Sequence, residues 1–200
     1  KEGNPMRVLR SCSALAVVCA VATCVETASA SMIVRHMDLQ QMCKAAGRIF
    51  RGTVLGVSEG TVTAGGGQLA TMVYTIRVDE SFKGAFQTIK GQRIATLQIV
   101  RRAKRTPTGI LRRLAALDDL PSFRTGHDYL ILATTPSAAG LSSTVGMKQG
   151  VFKVEGKAGQ ETAINGNRNI GLNAGVTDAA SRGPIPYAAL RDSIRRFVGR

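Results

Sequence analysis

Arg48 to Val57, Arg-Ile-Phe-Arg-Gly-Thr-Val-Leu-Gly-Val, is a β-branched run interrupted by Gly52 and Gly56. It constrains the fold more than any other stretch of the chain. Its composition suits a strand, and its glycines suit a strand that bends, because a backbone without Cβ atoms can kink or bulge where a side chain would clash. One bent strand can serve two sides of a small barrel, so this run is predicted to be the first strand of a mainly β fold.

The residues that follow supply its partners. Ser58 to Gln68 contains the triplet Gly65-Gly66-Gly67 and reads as a flexible hairpin loop. Met72, Tyr74, Ile76 and Val78 alternate with Val73, Thr75, Arg77 and Asp79, a half-buried second strand that stops at Phe82-Lys83-Gly84. A third strand is predicted within Lys90 to Val100, with Ala95, Leu97 and Ile99 on one face. Tyr129 to Ala133 gives a buried fourth, and Val151, Phe152 and Val154 mark a fifth. Between the third and fourth, Ile110, Leu111, Leu114 and Leu117 have helical spacing, and an amphipathic helix at that connection is what a five-stranded OB-type barrel uses to close one end.

Two further helices flank the barrel. Asp38 followed by Gln41 forms a capping box, Met37 and Met42 have the spacing of a hydrophobic staple, and Leu39, Met42, Cys43 and Ala46 share a face. Gly47 is placed to end that short helix. At the other end, Tyr187, Leu190, Ile194 and Phe197 form the apolar stripe of a C-terminal helix introduced by Pro184 and Pro186. The segment from Gly156 to Gly183 reads as an irregular strap with a tight hairpin at Asn165-Gly166.

The first thirty residues are predicted to be upstream sequence, Lys1 to Pro5, and a secretory signal peptide. Arg7 and Arg10 precede an uncharged apolar stretch, Ala14 to Val25, and Ala28-Ser29-Ala30 has the small residues of a cleavage site. The stretch is too short to span a bilayer, which needs roughly 20 apolar residues, so no transmembrane segment remains after cleavage. Of the 200 residues, 170 follow Ala30, enough for one barrel domain over 31–155 and a strap and helix packed on it over 156–200. The expected location is secreted or periplasmic. Cys43 is then the one cysteine left, so no intramolecular disulfide forms, and the thiol is either buried and inert or open to an intermolecular bond. Removing Lys1, Arg7, Arg10, Glu2 and Glu26 from the 27 basic and 13 acidic residues leaves 24 against 11, a strongly basic domain suited to polyanions or acidic surfaces.

Several short motifs fall in one order: Gln40-Gln41 and Cys43 on the capped helix, the β-rich run from Ile49, Phe82-Lys83-Gly84 after the second strand, then Gly126 and Tyr129-Leu130-Ile131. In this the chain resembles the TIMP-like (netrin-type) OB-fold domain of the tissue inhibitors of metalloproteinases, over about Ser31 to Val154. The resemblance implies a five-stranded OB-like barrel and an exported binding module. In that family the free amino terminus, a Cys-x-Cys, chelates the zinc of a target protease. Here the matching residues are Ser31, Met32 and Ile33, and the family's disulfides have no counterpart.

No catalytic motif is present: there is no HExxH, no Cys-x-x-Cys and no Gly-x-Ser-x-Gly. Ser142 or Ser143 with His127 and Asp128 would make a triad only on paper, because neighbouring His and Asp in a strand point to opposite faces. Met32, His36, Met37, Met42 and Cys43 have the ligand types of a copper(I) site, but packing roles already account for Met37, Met42 and Cys43. A non-catalytic protein without a cofactor is therefore expected. Its partner would be a protein, such as a secreted metalloprotease, met through Ser31, Met32, Ile33 and the loops Ser58–Gln68 and Thr134–Leu141. The alternative is an acidic surface polymer, a glycan, anionic lipid or acidic protein, held by Arg101, Arg102, Lys104, Arg105, Arg112 and Arg113. Nucleic acid is disfavoured, since no aromatic residue lies among those cations to stack on bases.

Overall fold

In the computed structural model the described residues are 36–64, 66–101, 120–173 and 182–199, all within one of the two units into which the chain divides, Ile33–Arg200. Strand β1 runs over Arg48–Ala64 and pairs antiparallel with β2, Gly67–Lys83, along its whole length. Only its first residues, Arg48 to Thr53, also pair with β5, Asp128–Ala133. The first strand is thus shared between two neighbours, and it is longer than its β-branched run suggested. The stretch Ser58–Gln68 is a tight hairpin rather than a flexible loop: the ladder continues through Val62↔Leu69 to Ala64↔Gly67. Thr61, Val62 and Thr63 favour strand, and the glycines are needed only for the turn, where Gly66 takes φ +78.

The ladder between β1 and β2 slips at three places, leaving Phe82 and Asp79 extra on β2 and Leu55 extra on β1. Such bulges bend and coil the ribbon. Gly52 sits at one of them for a steric reason, because a Cβ there would collide with the Arg77 carbonyl. Gly56, beside the third, has nothing within 4 Å of its ideal Cβ.

Around this ribbon lies one antiparallel sheet in the order β3-β4-β2-β1-β5-β6-β7-β8, completed by β3 (Gln87–Ile89), β4 (Gln92–Val100), β6 (Val151–Glu155), β7 (Thr162–Asn165) and β8 (Ile185–Pro186). The mainly β class with two helices holds. The sheet is open, with eight strands rather than five, and no ladder joins β4 to β6 among the described residues. The additional strands β3, β7 and β8 are two to four residues long, too short to show period-two alternation.

The two faces of the sheet build two cores. Phe50, Val54, Tyr74, Ile76, Leu97, Ile99, Tyr129 and Ile131 point to one side, where Phe123 stacks edge-on against Tyr74 and Tyr129 at centroid distances of 4.9 and 5.2 Å. Ile49, Leu130, Leu132, Phe152 and Val154 point to the other, beneath α1 (Leu39–Ala45) and α2 (Tyr187–Val198). Alternation along β1 decides the side, so adjacent Ile49 and Phe50 belong to different cores. β5 is buried on both faces from Tyr129 to Ala133, which is why that stretch reads as an unbroken apolar run. Each fully buried Leu, Ile or Phe contributes about 1.5–3 kcal/mol.

Both flanking helices follow their sequence signals. In α1 the capping box is complete: Gln41 N donates to Asp38 Oδ1 at 2.7 Å and Asp38 N to Gln41 Oε1 at 3.2 Å. The end differs in mechanism. Ala46 closes the helix in an extended conformation, and Gly47 is required because a side chain there would strike Thr135. In α2, Tyr187, Leu190 and Ile194 are buried. The strap is ordered through Gly166–Asn173 by two buried amides: Asn165 Oδ1 accepts from Asn167 N and Asn169 N, and Asn169 Nδ2 donates to Ala163 O and Gly183 O. Asn165 Nδ2 donates to Gln149 O, so the pair is well satisfied despite its burial. The predicted helix at Ile110–Leu117 lies outside the described residues, among which no helix is long and apolar enough to cross a membrane.

Candidate functional site

Where the apolar face under the helices gives out, the same alternation brings charged residues together. Arg51 follows Ile49 on the same face of β1, beside Tyr187 of α2, Asp128 opens β5, and Glu161 stands just before β7. The Arg51 Nε donates to Asp128 Oδ2 at 2.8 Å, and its Nη2 lies 2.6 Å from the same oxygen and 2.7 Å from Glu161 Oε1. The guanidinium also lies 4.4 Å from the centroid of the Tyr187 ring. One cation thereby links β1, β5, the β6–β7 turn and α2. Next to it the Tyr187 hydroxyl donates to Glu80 Oε2 at 2.6 Å, and Arg195 donates to Glu80 Oε1 at 2.7 Å.

The ionisation of this cluster follows from its shielding. Burial acts to lower the Arg51 pKa, but the hydrogen bonds Arg51 donates to Asp128 and Glu161 outweigh it and leave it raised. Glu161, paired to Arg51, is held below the usual carboxylate range. Asp128 goes the other way: burial raises it despite Arg51, with Asp79 and Glu161 adding like charge, and its Oδ1 is buried without a partner. Burial and the bond to Glu80 push the Tyr187 hydroxyl up. These groups are fixed to one another, an arrangement suited to holding α2 on the sheet.

The residues with reactive side chains are similarly committed. Cys43 is 2 % exposed in the core under α1, and its thiol is pushed up to about 11 by burial, which makes it inert at neutral pH. Asp128 serves Arg51 and does not orient His127. The Ser142 hydroxyl accepts from Gln98 N at 3.2 Å. His36 bonds Gly171 O through Nε2 at 3.1 Å, Met42 and Cys43 are buried in the core under the helices with Met37 packed against it, and Met32 lies outside the described residues. Among the described residues no three His, Cys, Asp or Glu side chains come together to hold a metal. A cavity of about 290 Å³ opens between α1 and α2, lined by Leu39, Leu172, Ile185, Leu190 and Ser193.

One external edge is well built. The Gln98 side chain donates through Nε2 to Thr71 Oγ1 at 3.0 Å and Thr61 O at 3.4 Å, both on the β1–β2 ribbon. On its other side, Gln98 O accepts from Ser142 N at 2.9 Å, and Gly140 approaches Gln98 Oε1. Gln98 therefore joins the ribbon to Ser142, the residue that follows the Thr134–Leu141 loop. That loop is itself tied by Thr134 N to Ser143 O and Ser137 N to Leu141 O, each 2.8 Å.

No family model matches the chain, and no curated protein is significantly similar to it in sequence.

Of the residues singled out in the sequence, Ser31, Met32 and Ile33 lie outside the described residues, as do Arg102, Lys104, Arg105, Arg112 and Arg113. Arg101 is described: it continues the ladder by donating its N–H to Ala70 O at 2.8 Å, and its guanidinium pairs with Glu59. The Arg51 cluster and the Gln98 tie were not foreseen. Arg51 is 77 and 110 residues from its two carboxylates, and the one local signal was a charge on the Ile49 face of a strand otherwise bound for burial.

Proposed function

We propose that the chain is an exported, non-catalytic protein-binding module whose recognition edge is the β1–β2 ribbon together with the Thr134–Leu141 loop. The observation that carries this reading is Gln98, which joins the ribbon to Ser142, the residue that follows the loop, and leaves the outer residues of both segments, Thr63, Gln68 and Ala138 among them, exposed. A preorganised edge loses little entropy on binding and so favours affinity. The sheet order β4-β2-β1-β5-β6, with β1 shared between β2 and β5, is what favours a TIMP-like OB arrangement in this reading. On that reading a secreted metalloprotease is a fitting partner, met also by Ser31, Met32 and Ile33 if cleavage falls behind Ala30.

The second reading, a polyanion binder acting through Arg101 to Arg113, draws on the net charge, although Arg101 is already paired with Glu59. Salt separates the two. Binding of a protein partner through the ribbon and loop should survive a change from about 0.15 to about 0.5 M salt, whereas binding through the basic run should collapse. One Ala added before Ser31 tests the metalloprotease form: inhibition lost on extension supports chelation by the Ser31 amine, and inhibition unchanged rules it out.

A further inference from the structure

At the seam of the curled sheet, beside β4, the Arg48 guanidinium has no counter-charge among the described residues. Along β4, alternate residues present both backbone groups to the edge away from β2. Ile94 is taken by β3 through Gln87, and Gln98 by Ser142. Between them Thr96 is exposed, and its carbonyl accepts from Arg48 Nη2 at 3.3 Å. Its N–H points out of the sheet beside that carbonyl and has no acceptor among the described residues.

Arg48 is unlike the other arginines of this sheet and α2 for which ion pairs are seen. Arg51 has Asp128 and Glu161, Arg77 has Asp79, Arg101 has Glu59 and Arg195 has Glu80. Arg48 is half-buried, has no carboxylate among the described residues, and its Nε is buried without a partner. Burial alone lowers its pKa. The stem passes close to Gly84, at φ +89, where a Cβ would lie 2.8 Å from Arg48 Cγ and 2.9 Å from Gly47 O. A positioned, partly desolvated guanidinium with no anion costs stability that an incoming anion would recover.

We propose that Arg48 and the Thr96 amide form a carboxylate-binding site in the seam between β3 and Ser142. With Nε sealed, the guanidinium offers its outer nitrogens, a fork that matches the two oxygens of a carboxylate end-on, and the Thr96 N–H supplies a further donor. The ligand is the carboxylate of a peptide, from an acidic side chain or a free C-terminus. This site extends the binding-module reading but stands independently of it, since a small carboxylate suffices to occupy it.

The test uses the exported protein, 15N-labelled, with chloride replaced by acetate at constant ionic strength. Saturable shifts are expected at the Thr96 amide and the Arg48 Nε–H. The apparent affinity should weaken about tenfold or more in Arg48→Gln, and less in Arg48→Lys, which keeps the charge but not the fork. Absence of saturation at Thr96, or the same affinity in Arg48→Gln, overturns the site; should that variant fail to fold, the wild-type titration still decides. Two blocked peptides then identify the source, acetyl-Gly-Asp-Gly-amide for a side-chain carboxylate and acetyl-Gly-Gly-Gly with a free C-terminus for a terminal one. Saturation by either supports the site, and silence of both together with acetate refutes it.

Discussion

Gly52 and Gly56 lie four residues apart on one strand, but their surroundings demand different things of them. At Gly52 the ribbon folds so close that a methyl group would enter the Arg77 carbonyl, with Ile76 Cγ2 only 2.9 Å away. Gly52→Ala is expected to cost about 3 kcal/mol. Gly56 has open space around its missing Cβ and no left-handed backbone, so Gly56→Ala should stabilise by about 0.4–1 kcal/mol by restricting the unfolded chain. Urea unfolding midpoints of the two variants check this, and equal losses would show that the bulge at Arg51/Gly52 does not depend on close approach. The sequence made both glycines visible as places to bend. It could not say which was sterically required, because the contact at Gly52 comes from Arg77 on the partner strand, in a register that itself slips by a residue. The same slip places Leu55 as an extra, 43 % exposed residue inside a run that reads as continuous strand.

At the scale of elements, α2 is joined to the sheet by an apolar stripe and by the charge cluster at its start. Only the stripe is periodic, and so only the stripe was legible in advance. Tyr187, Leu190 and Ile194 are buried as their spacing requires, whereas the partners of Arg51 come from three separate segments that no local pattern connects. Removing the cation should be the costly change: Arg51→Met leaves Asp128 and Glu161 uncompensated and is expected to lose about 2–4 kcal/mol. The two carboxylates should then differ in sign. Glu161 is lowered by its pairing, so its contribution is present above the ordinary Glu range and lost as pH falls through its folded pKa. Glu161→Gln should cost about 1 kcal/mol at pH 7, and that cost should fall away as pH drops through the lowered Glu161 pKa. Asp128 is raised, so its ionised form is disfavoured in the fold, and wild type gains stability as pH falls through that raised value. Asp128→Asn, which keeps an acceptor for Arg51, should be neutral or stabilising at pH 7, with the difference from wild type closing on acidification. Thermal midpoints between about pH 3 and 7 decide; an Asp128→Asn loss as large as that of Arg51→Met would contradict this division.

For the whole molecule, strands at the centre of the sheet were readable because burial imposes an alternation or an apolar run on them, and its margins were not. β3, β7 and β8 are short, and the β4 edge is met by Arg48 and Ser142, two polar residues unremarkable in sequence. Those margins are also where binding is proposed. Buried or ion-paired groups such as Cys43, Asp128 and Arg51 hold the scaffold, while the ribbon and the Thr134–Leu141 loop face outward as a unit. That claim is tested most directly by photo-crosslinking, with a reactive side chain placed in turn at Thr63 on the ribbon, Ala138 on the loop and Lys157 on the β6–β7 turn, all exposed. The account predicts that Thr63 and Ala138 crosslink to the same protein at moderate salt and that Lys157 does not. Crosslinking from Lys157 alone, or to different proteins from Thr63 and Ala138, would contradict it.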